Sequence, residues 1–232
     1  LEPPSNAFYD LYYLLARGYP RQAALALIHS KHGLSREALI LLSRCIHPPE
    51  INKEIIRKRQ EPGKIRGNCL VIDGFNQLTT IYAAMIQAPL YICSDTMLRD
   101  SLLAGPRLVI ENIEKLAPVL AQALQRLEPR ETIIVLDSQP SHSGETAAYL
   151  RRTLGVETVA TRNADKWIIE EAQGRNCVAA TSDIAITLKA PRIFDLAYYT
   201  VTNIIKGAAR INNIPHLLLE QHHRWCRNQA GP

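Results

Sequence analysis

The sequence predicts an α/β protein: a mostly parallel sheet flanked by helices, preceded by a small all-α N-terminal domain. Up to about residue 62 every apolar repeat has helical spacing, whereas after residue 66 short β-rich runs alternate with helical stretches, the pattern of strand–helix–strand units. Composition agrees. With 232 residues, 47% of them hydrophobic, and 27 Lys+Arg against 22 Asp+Glu for a net charge of +5, the chain has enough apolar material for a core. Its net charge is too small for a disordered chain.

Phe8, Leu11, Tyr12, Leu14 and Leu15 share one face of a first helix. Pro20 opens a second, and Ser35 caps a third. Gly33 and His47-Pro48-Pro49 punctuate them, and a basic helix from Glu50 to about Gln60 stops at Pro62-Gly63. The expected units are therefore an all-helical domain over 1–62 and an α/β domain with C-terminal helices over 67–232. In the second unit strands are expected at 69–73, 90–93, 132–137, 156–160, 177–181 and 193–194. Helices are expected at 77–87, 108–127, 144–153, 165–173 and 184–189.

No apolar run approaches the roughly 20 residues that span a bilayer, so no membrane partner is expected. The opening Leu1-Glu2-Pro3-Pro4-Ser5-Asn6 has neither the basic nor the apolar part of a secretion signal, and the missing initiator Met suggests a trimmed chain. A cytoplasmic protein is the expectation. The five cysteines, an odd number, include Cys69, Cys93 and Cys177 inside strand-like runs where a thiol acts as a small hydrophobe, so a disulfide framework is not expected. Cys45, His47, His222 and Cys226 make a faint zinc pattern whose spacing fits no common zinc module.

Ligands of open parallel sheets bind outside the carboxyl ends of the strands, so the residues ending each apolar run are the informative ones. Here they are aspartates. Asp73 and Asp137 end their runs, Asp95 and Asp183 follow theirs closely, and Asp165 begins the helix after the fourth run. Each alone has an ordinary reading as a cap or turn residue. Together at one rim they would repel and raise one another's pKa unless a hard cation neutralised them, and an oxygen-only set suits Mg²⁺ or Mn²⁺. No GxGxxG, GxxxxGK[ST] or Gly-x-Ser-x-Gly motif competes, although Ser141-His142-Ser143-Gly144-Glu145 could offer backbone amides to an anion. Two basic groups, Lys53, Arg57, Lys58, Arg59, Lys64 and Arg66, and Arg151, Arg152, Arg162 and Lys166, could track a phosphate backbone or be solvated helix faces.

Val71-Ile72-Asp73-Gly74-Phe75-Asn76 resembles the opening motif of PIN-like and NYN nuclease domains, with an aspartate ending the first strand and an Asn three positions on. Ala164-Asp165 resembles their third acidic motif and Ala180-Thr181-Ser182-Asp183 their Thr/Ser-x-Asp strand end; Asp137 matches the aspartate of NYN and flap-endonuclease relatives. The resemblance covers about residues 68–200. The whole chain also resembles uncharacterised prokaryotic proteins that join a short helical domain to such a nuclease-like domain.

The resemblance implies a PIN-like, Rossmannoid fold and a metal-dependent ribonuclease. In that reading Asp73, Asp137, Asp165 and Asp183 hold one or two ions and activate water, and Asn76 and Ser182 orient water or phosphate. Lys166 with Arg151 or Arg162 counters phosphate charge, and RNA is the partner. Two departures support a rival, a non-catalytic RNA-binding or protein-interaction module. Lys166 stands where relatives often carry an acid, and the second acidic position has no clear match among Asp95, Asp100 and Glu111, of which Asp95 is favoured as a further ligand. A haloacid-dehalogenase-type phosphatase would want an acid where Phe75 stands. Leu217 to Leu219 would pack within the chain or across a homodimer.

Overall fold

The computed structural model describes residues 3–102, 105–205, 207 and 210–229, so Leu1 and Glu2 of the opening segment lie outside it. The N-terminal unit comprises α1 (Ser5–Ala16), α2 (Arg21–His32), α3 (Arg36–Cys45) and α4 (Pro49–Lys58). Ser35 caps α3 by accepting the Ala38 N–H at 3.2 Å, and Gly33 closes α2 in the left-handed region at φ 57°. Pro49 sits in the first turn of α4, where its missing N–H costs nothing.

The second unit opens with β1 (Cys69–Asp73) and α5 (Gly74–Met85), then a hairpin of β2 (Leu90–Ile92) and β3 (Leu98–Asp100). There follow α6 (Arg107–Glu111), α7 (Ile113–Leu127), β4 (Glu131–Asp137), α8 (Ser143–Leu154), β5 (Glu157–Thr161), α9 (Ala164–Gly174), β6 (Val178–Ala180) and α10 (Ile184–Lys189). The chain ends with β7 (Ile193–Phe194), α11 (Leu196–Asn203), β8 (Ile211–Asn213) and α12 (Ile214–Gln229).

The main sheet is five-stranded and parallel, in the order β5-β4-β1-β6-β7. Alternation along β1 shows its layering. Leu70 and Ile72 pack with Leu78 and Ile81 of α5, Leu116 and Leu120 of α7 and Leu150 of α8, while Val71 faces Ile168 of α9, Ile186 of α10 and Ile55 of α4. This three-layer sandwich puts all five strand carboxyl ends on one edge. Strand order changes direction around β1, the place where an open α/β sheet forms a crevice.

Three expectations are corrected. Residues 90–93 do not join the parallel sheet: β2 pairs antiparallel with β3 and parallel with β8, forming a separate three-stranded sheet. The turn between β2 and β3 places Thr96 at φ 67°, a left-handed residue with no glycine to announce it. The helix expected over 108–127 breaks at Asn112, which accepts no helical continuation at φ −121° and ψ 17°. Cys69 and Cys177 are not free thiols; they form a disulfide, because the β1/β6 register sets Leu70 opposite Val178 and so brings the preceding residues together. Finally, α12 packs on α1, with Ile214 and Leu218 joining the core of the N-terminal helices alongside Tyr91 and Cys93. The first and last helices thus form one layer, and Leu218 is buried within the chain while Leu219 stays exposed.

Part of the first basic group is structural. Lys58 donates to Glu54 at 2.7 Å and to the Leu188 carbonyl at 2.6 Å, fastening α4 to α10. Arg59 donates to the Thr96 carbonyl at 2.8 Å and lies 5.2 Å over the Tyr198 ring. Arg66 pairs with Glu128 at 3.0 Å.

Candidate functional site

Asp73 ends β1, Asp137 ends β4, Asp183 follows β6 and Asp165 lies in the first turn of α9, so the sheet brings these four to one edge. Their fields overlap. Burial first, then the charges of Asp183 and Asp165, push the Asp73 carboxyl up to about 7, against the opposing hydrogen bond from Thr181. Burial, Asp183 and Asp137 likewise raise Asp165, with Lys189 opposing.

Each carboxylate is held by the local chain. Thr181 Oγ1 donates to Asp73 Oδ2 at 2.8 Å and itself accepts the Asp183 N–H at 3.0 Å. Asp183 Oδ1 caps α10 by accepting the Ala185 and Ile186 N–H groups at 2.7 and 3.3 Å, and Asp137 Oδ1 accepts the Gln139 N–H at 2.9 Å. Across from them Asn76 Oδ1 accepts the Ser182 N–H at 3.0 Å, the Ser182 hydroxyl at 3.1 Å and Gln77 Nε2 at 2.8 Å. Ser182 is buried, so Asn76 clamps the β6 end to α5 and the Ser182 hydroxyl is spent on that clamp.

Gly74 is required by close approach. A Cβ there would stand 2.4 Å from Leu136 Cδ2 and 3.1 Å from the Val135 carbonyl oxygen, so only glycine lets α5 start against β4. Gly74→Ala is expected to destabilise the fold by ~1–3 kcal/mol, the usual cost of overpacking, read as a lowered midpoint in urea unfolding.

The other expected site residues stand elsewhere. Asp95 is not on this edge; it is buried beyond β2, where Arg99 Nη1 and Nη2 grip its two oxygens at 2.8 and 2.6 Å, and it has no face left for an ion. Burial works to raise its pKa, but Arg99, its hydrogen bonds and His47 hold it below the usual carboxylate value. Arg151 is at the wrong end of the sheet, because α8 runs back from the β4 carboxyl end; it donates at 2.5 Å to the Thr158 carbonyl near the start of β5. Lys166 projects from the solvent face of α9 toward Glu170 at 3.6 Å, and Arg162 follows β5 on the aspartate edge, exposed. At the α8 entrance His142 Nδ1 and Glu145 Oε2 meet at 2.8 Å, so a carboxylate occupies that helix start. Among the described residues, Cys45, His47, His222 and Cys226 form no metal-holding group.

The sequence reading missed Thr181, whose hydroxyl links the β1 and β6 ends, although it stands inside the motif that singled out Ser182 and Asp183. Asp195 was missed too. It follows β7, is buried, and joins β3 to α11 by accepting the Leu98 N–H at 2.6 Å and the Tyr198 N–H at 2.8 Å.

Comparison with known proteins divides the chain close to where its texture changes. Residues 5–58 match a family described as "Protein of unknown function (DUF434)", and residues 62–199, more than half of the chain, match "Domain of unknown function (DUF5616)". The chain belongs to the DUF5616 family. The chain is also 27% identical over 183 residues to "Uncharacterized protein MJ0935" of Methanocaldococcus jannaschii, a span covering 76% of this chain and 86% of that protein. No solved structure matches the chain. Among the described residues, no helix is long and apolar enough to cross a membrane.

Proposed function

We propose that the chain is a divalent-cation-dependent phosphodiesterase of the PIN/NYN type that cleaves RNA. The observation that carries this reading is the electrostatic coupling of Asp73, Asp165, Asp183 and Asp137 at the carboxyl edge of a parallel sheet, with Asp73 displaced to about 7. A fold gains nothing from a half-neutral carboxylate between two like charges, whereas a cation site does.

The donor chemistry fits Mg²⁺ or Mn²⁺, being oxygen-only. Among the described residues no three acidic, His or Cys side chains stand close enough together to hold an ion as a cage. Mg²⁺ does not need one, since it commonly keeps several waters and uses one or two carboxylates plus substrate phosphate oxygens. Asp183 and Asp73 are the first choices to bind it, with Asp165 and Asp137 neutralised at longer range. When bound, the cation supplies charge neutralisation at phosphate and a more acidic water. Asp73 holds a proton easily near neutral pH, and the Thr181 hydroxyl fixes the direction of its carboxyl. Asn76, by clamping Ser182, fixes Asp183 against Asp73.

The test is cleavage of end-labelled single-stranded RNA with Mn²⁺, Mg²⁺ or EDTA, together with calorimetric Mn²⁺ binding. Cation-dependent cleavage lost by at least 100-fold in Asp73→Asn and in Asp183→Asn is expected, as for groups acting directly on the transition state. Wild-type protein that binds RNA but neither Mn²⁺ nor Mg²⁺ would establish instead the binding-module reading, which the lack of an assembled three-acid cage and the presence of Lys166 favour.

A further inference from the structure

Between the N-terminal helices and the aspartate edge lies a cleft of about 400 Å³. One wall carries Arg21, Arg44 and His47; the other carries Asn76, Ser182 and Asp183. We propose that Arg21 and Arg44 hold a phosphate of a single-stranded nucleic acid in this cleft, one position along the strand from the phosphate that faces the aspartates. The N-terminal helices then form half of the substrate site. The inference rests on the phosphodiesterase reading and names its substrate-binding surface.

Arg21 is the strongest indication. Its guanidinium is half-buried and donates to the Ile46 carbonyl at 3.0 Å and to the Ser43 carbonyl, yet among the described residues no carboxylate pairs with it. Burial alone acts on it, lowering its pKa, so a cation is held out of water at a cost that a bound anion would offset. Arg44 stands on the same wall. Its nearest carboxylate, Asp100 Oδ2, is 3.7 Å away, and its other contacts are the Asp100 and Leu102 carbonyls at 3.3 and 3.5 Å. Carbonyl anchoring sets the planes of both guanidiniums while leaving further N–H donors, the arrangement suited to forked contact with phosphate oxygens.

The cleft continues. Arg44 and Asn76 also line a second cavity of about 320 Å³, which shares Gly105 and Pro106 with a third of about 650 Å³ reaching His142 beyond β4. Three cavities joined by shared walls make a trough along the carboxyl edge of the sheet, which suits an extended strand better than a free mononucleotide. Asp183 lies on the cleft wall and would repel an anion set directly upon it. That places the arginine-held phosphate beside the acids, not over them.

The test is fluorescence anisotropy with a short labelled single-stranded RNA in EDTA, across a series of salt concentrations. Arg21→Gln and Arg44→Gln are each expected to weaken binding about tenfold and to flatten the slope of log K against log salt by ~0.7, the counterion release of one phosphate contact on a single strand. Arg36→Gln, which removes an equal charge from the exposed first turn of α3, should leave both unchanged. Arg21→Lys keeps the charge but loses the carbonyl fork, so it should retain the wild-type slope. If Arg21 served only to brace the 43–46 corner, Gln and Lys would be equally impaired and the proposal would fall. It also falls if no RNA binds in EDTA, or if neither Gln variant changes the slope. The nuclease reading is judged separately by Mn²⁺-dependent cleavage: binding through Arg21 and Arg44 without cleavage keeps this subsite and removes the enzyme, while cleavage with unchanged salt slopes does the reverse.

Discussion

Asp95→Asn is expected to cost ~3–5 kcal/mol of stability, the range for removing one partner of a buried ion pair. In wild type both Arg99 head nitrogens reach the Asp95 carboxylate, and Arg99 Nη2 also donates to the Ser182 carbonyl at 2.7 Å. Both residues are buried, so an uncharged partner leaves a guanidinium out of water without its paired carboxylate, held mainly by the Ser182 carbonyl. At ~2–4 °C per kcal/mol for a chain of this size, the melting temperature should fall by roughly 6–20 °C. The sign with pH is fixed by direction. Asp95 is held below its ordinary pKa, so its contribution is fully present above about 4 and is lost as pH falls through the folded value. The gap between wild type and variant should therefore begin to narrow as pH falls below about 4. A double variant, Asp95→Leu with Arg99→Met, should recover only part of the loss, because the Ser182 carbonyl would still lack its donor. Calorimetric melts of the three proteins at pH 7 and pH 3.5 decide it; an Asp95→Asn midpoint within 2 °C of wild type at pH 7 would show that the pair is not a net stabiliser.

The same pair marks how far the site could be read from the chain. Asp73, Asp137 and Asp183 are legible because a parallel strand announces its carboxyl end by where its apolar run stops, and neighbouring parallel strands stop on the same edge. Asp95 also follows an apolar run, so the same rule assigned it to the edge. Its strand instead sits in the second sheet, which is built from Leu98–Asp100 and Ile211–Asn213, two runs of only three residues. Such short strands carry too little alternation to be seen, and although β3 meets β2 through a local hairpin, β8 reaches β2 only by the long-range pairing of Ile211 with Leu90. Arg21 and Arg44 were illegible for a related reason: nothing near either residue says that α2 and α3 fold over the end of β6. The Cys69–Cys177 bridge could have been suspected only once β1 and β6 were known to be neighbours in register.

Asp73→Asn is expected to make the protein more stable and less useful. With its carboxyl pushed up to about 7, wild-type Asp73 binds a proton more tightly folded than unfolded. Its favourable contribution is complete below about 4 and is lost as pH rises through about 7, so at pH 8 the ionised side chain is a liability. Three pKa units would convert to ~4 kcal/mol. Asp73 keeps partial contact with solvent, which lowers the expected gain at pH 8 to ~2 kcal/mol. Asparagine keeps an oxygen for the Thr181 hydroxyl and removes the charge that Asp183 and Asp165 oppose, and only the charge assistance of the Asn76 N–H and Thr181 hydrogen bonds is given up. Urea midpoints of the two proteins should coincide at pH 4 and separate in favour of the variant between pH 5 and 8. Millimolar Mn²⁺ should then raise the wild-type midpoint and leave that of the variant unchanged, since a ligand stabilises only the state that binds it. A variant less stable than wild type at pH 8 in EDTA would mean that Asp73 is already balanced by the protein, and the reason for placing a cation at this edge would be gone. A carboxylate retained against the stability of its own fold is the physical mark of a group kept for what it does to a ligand.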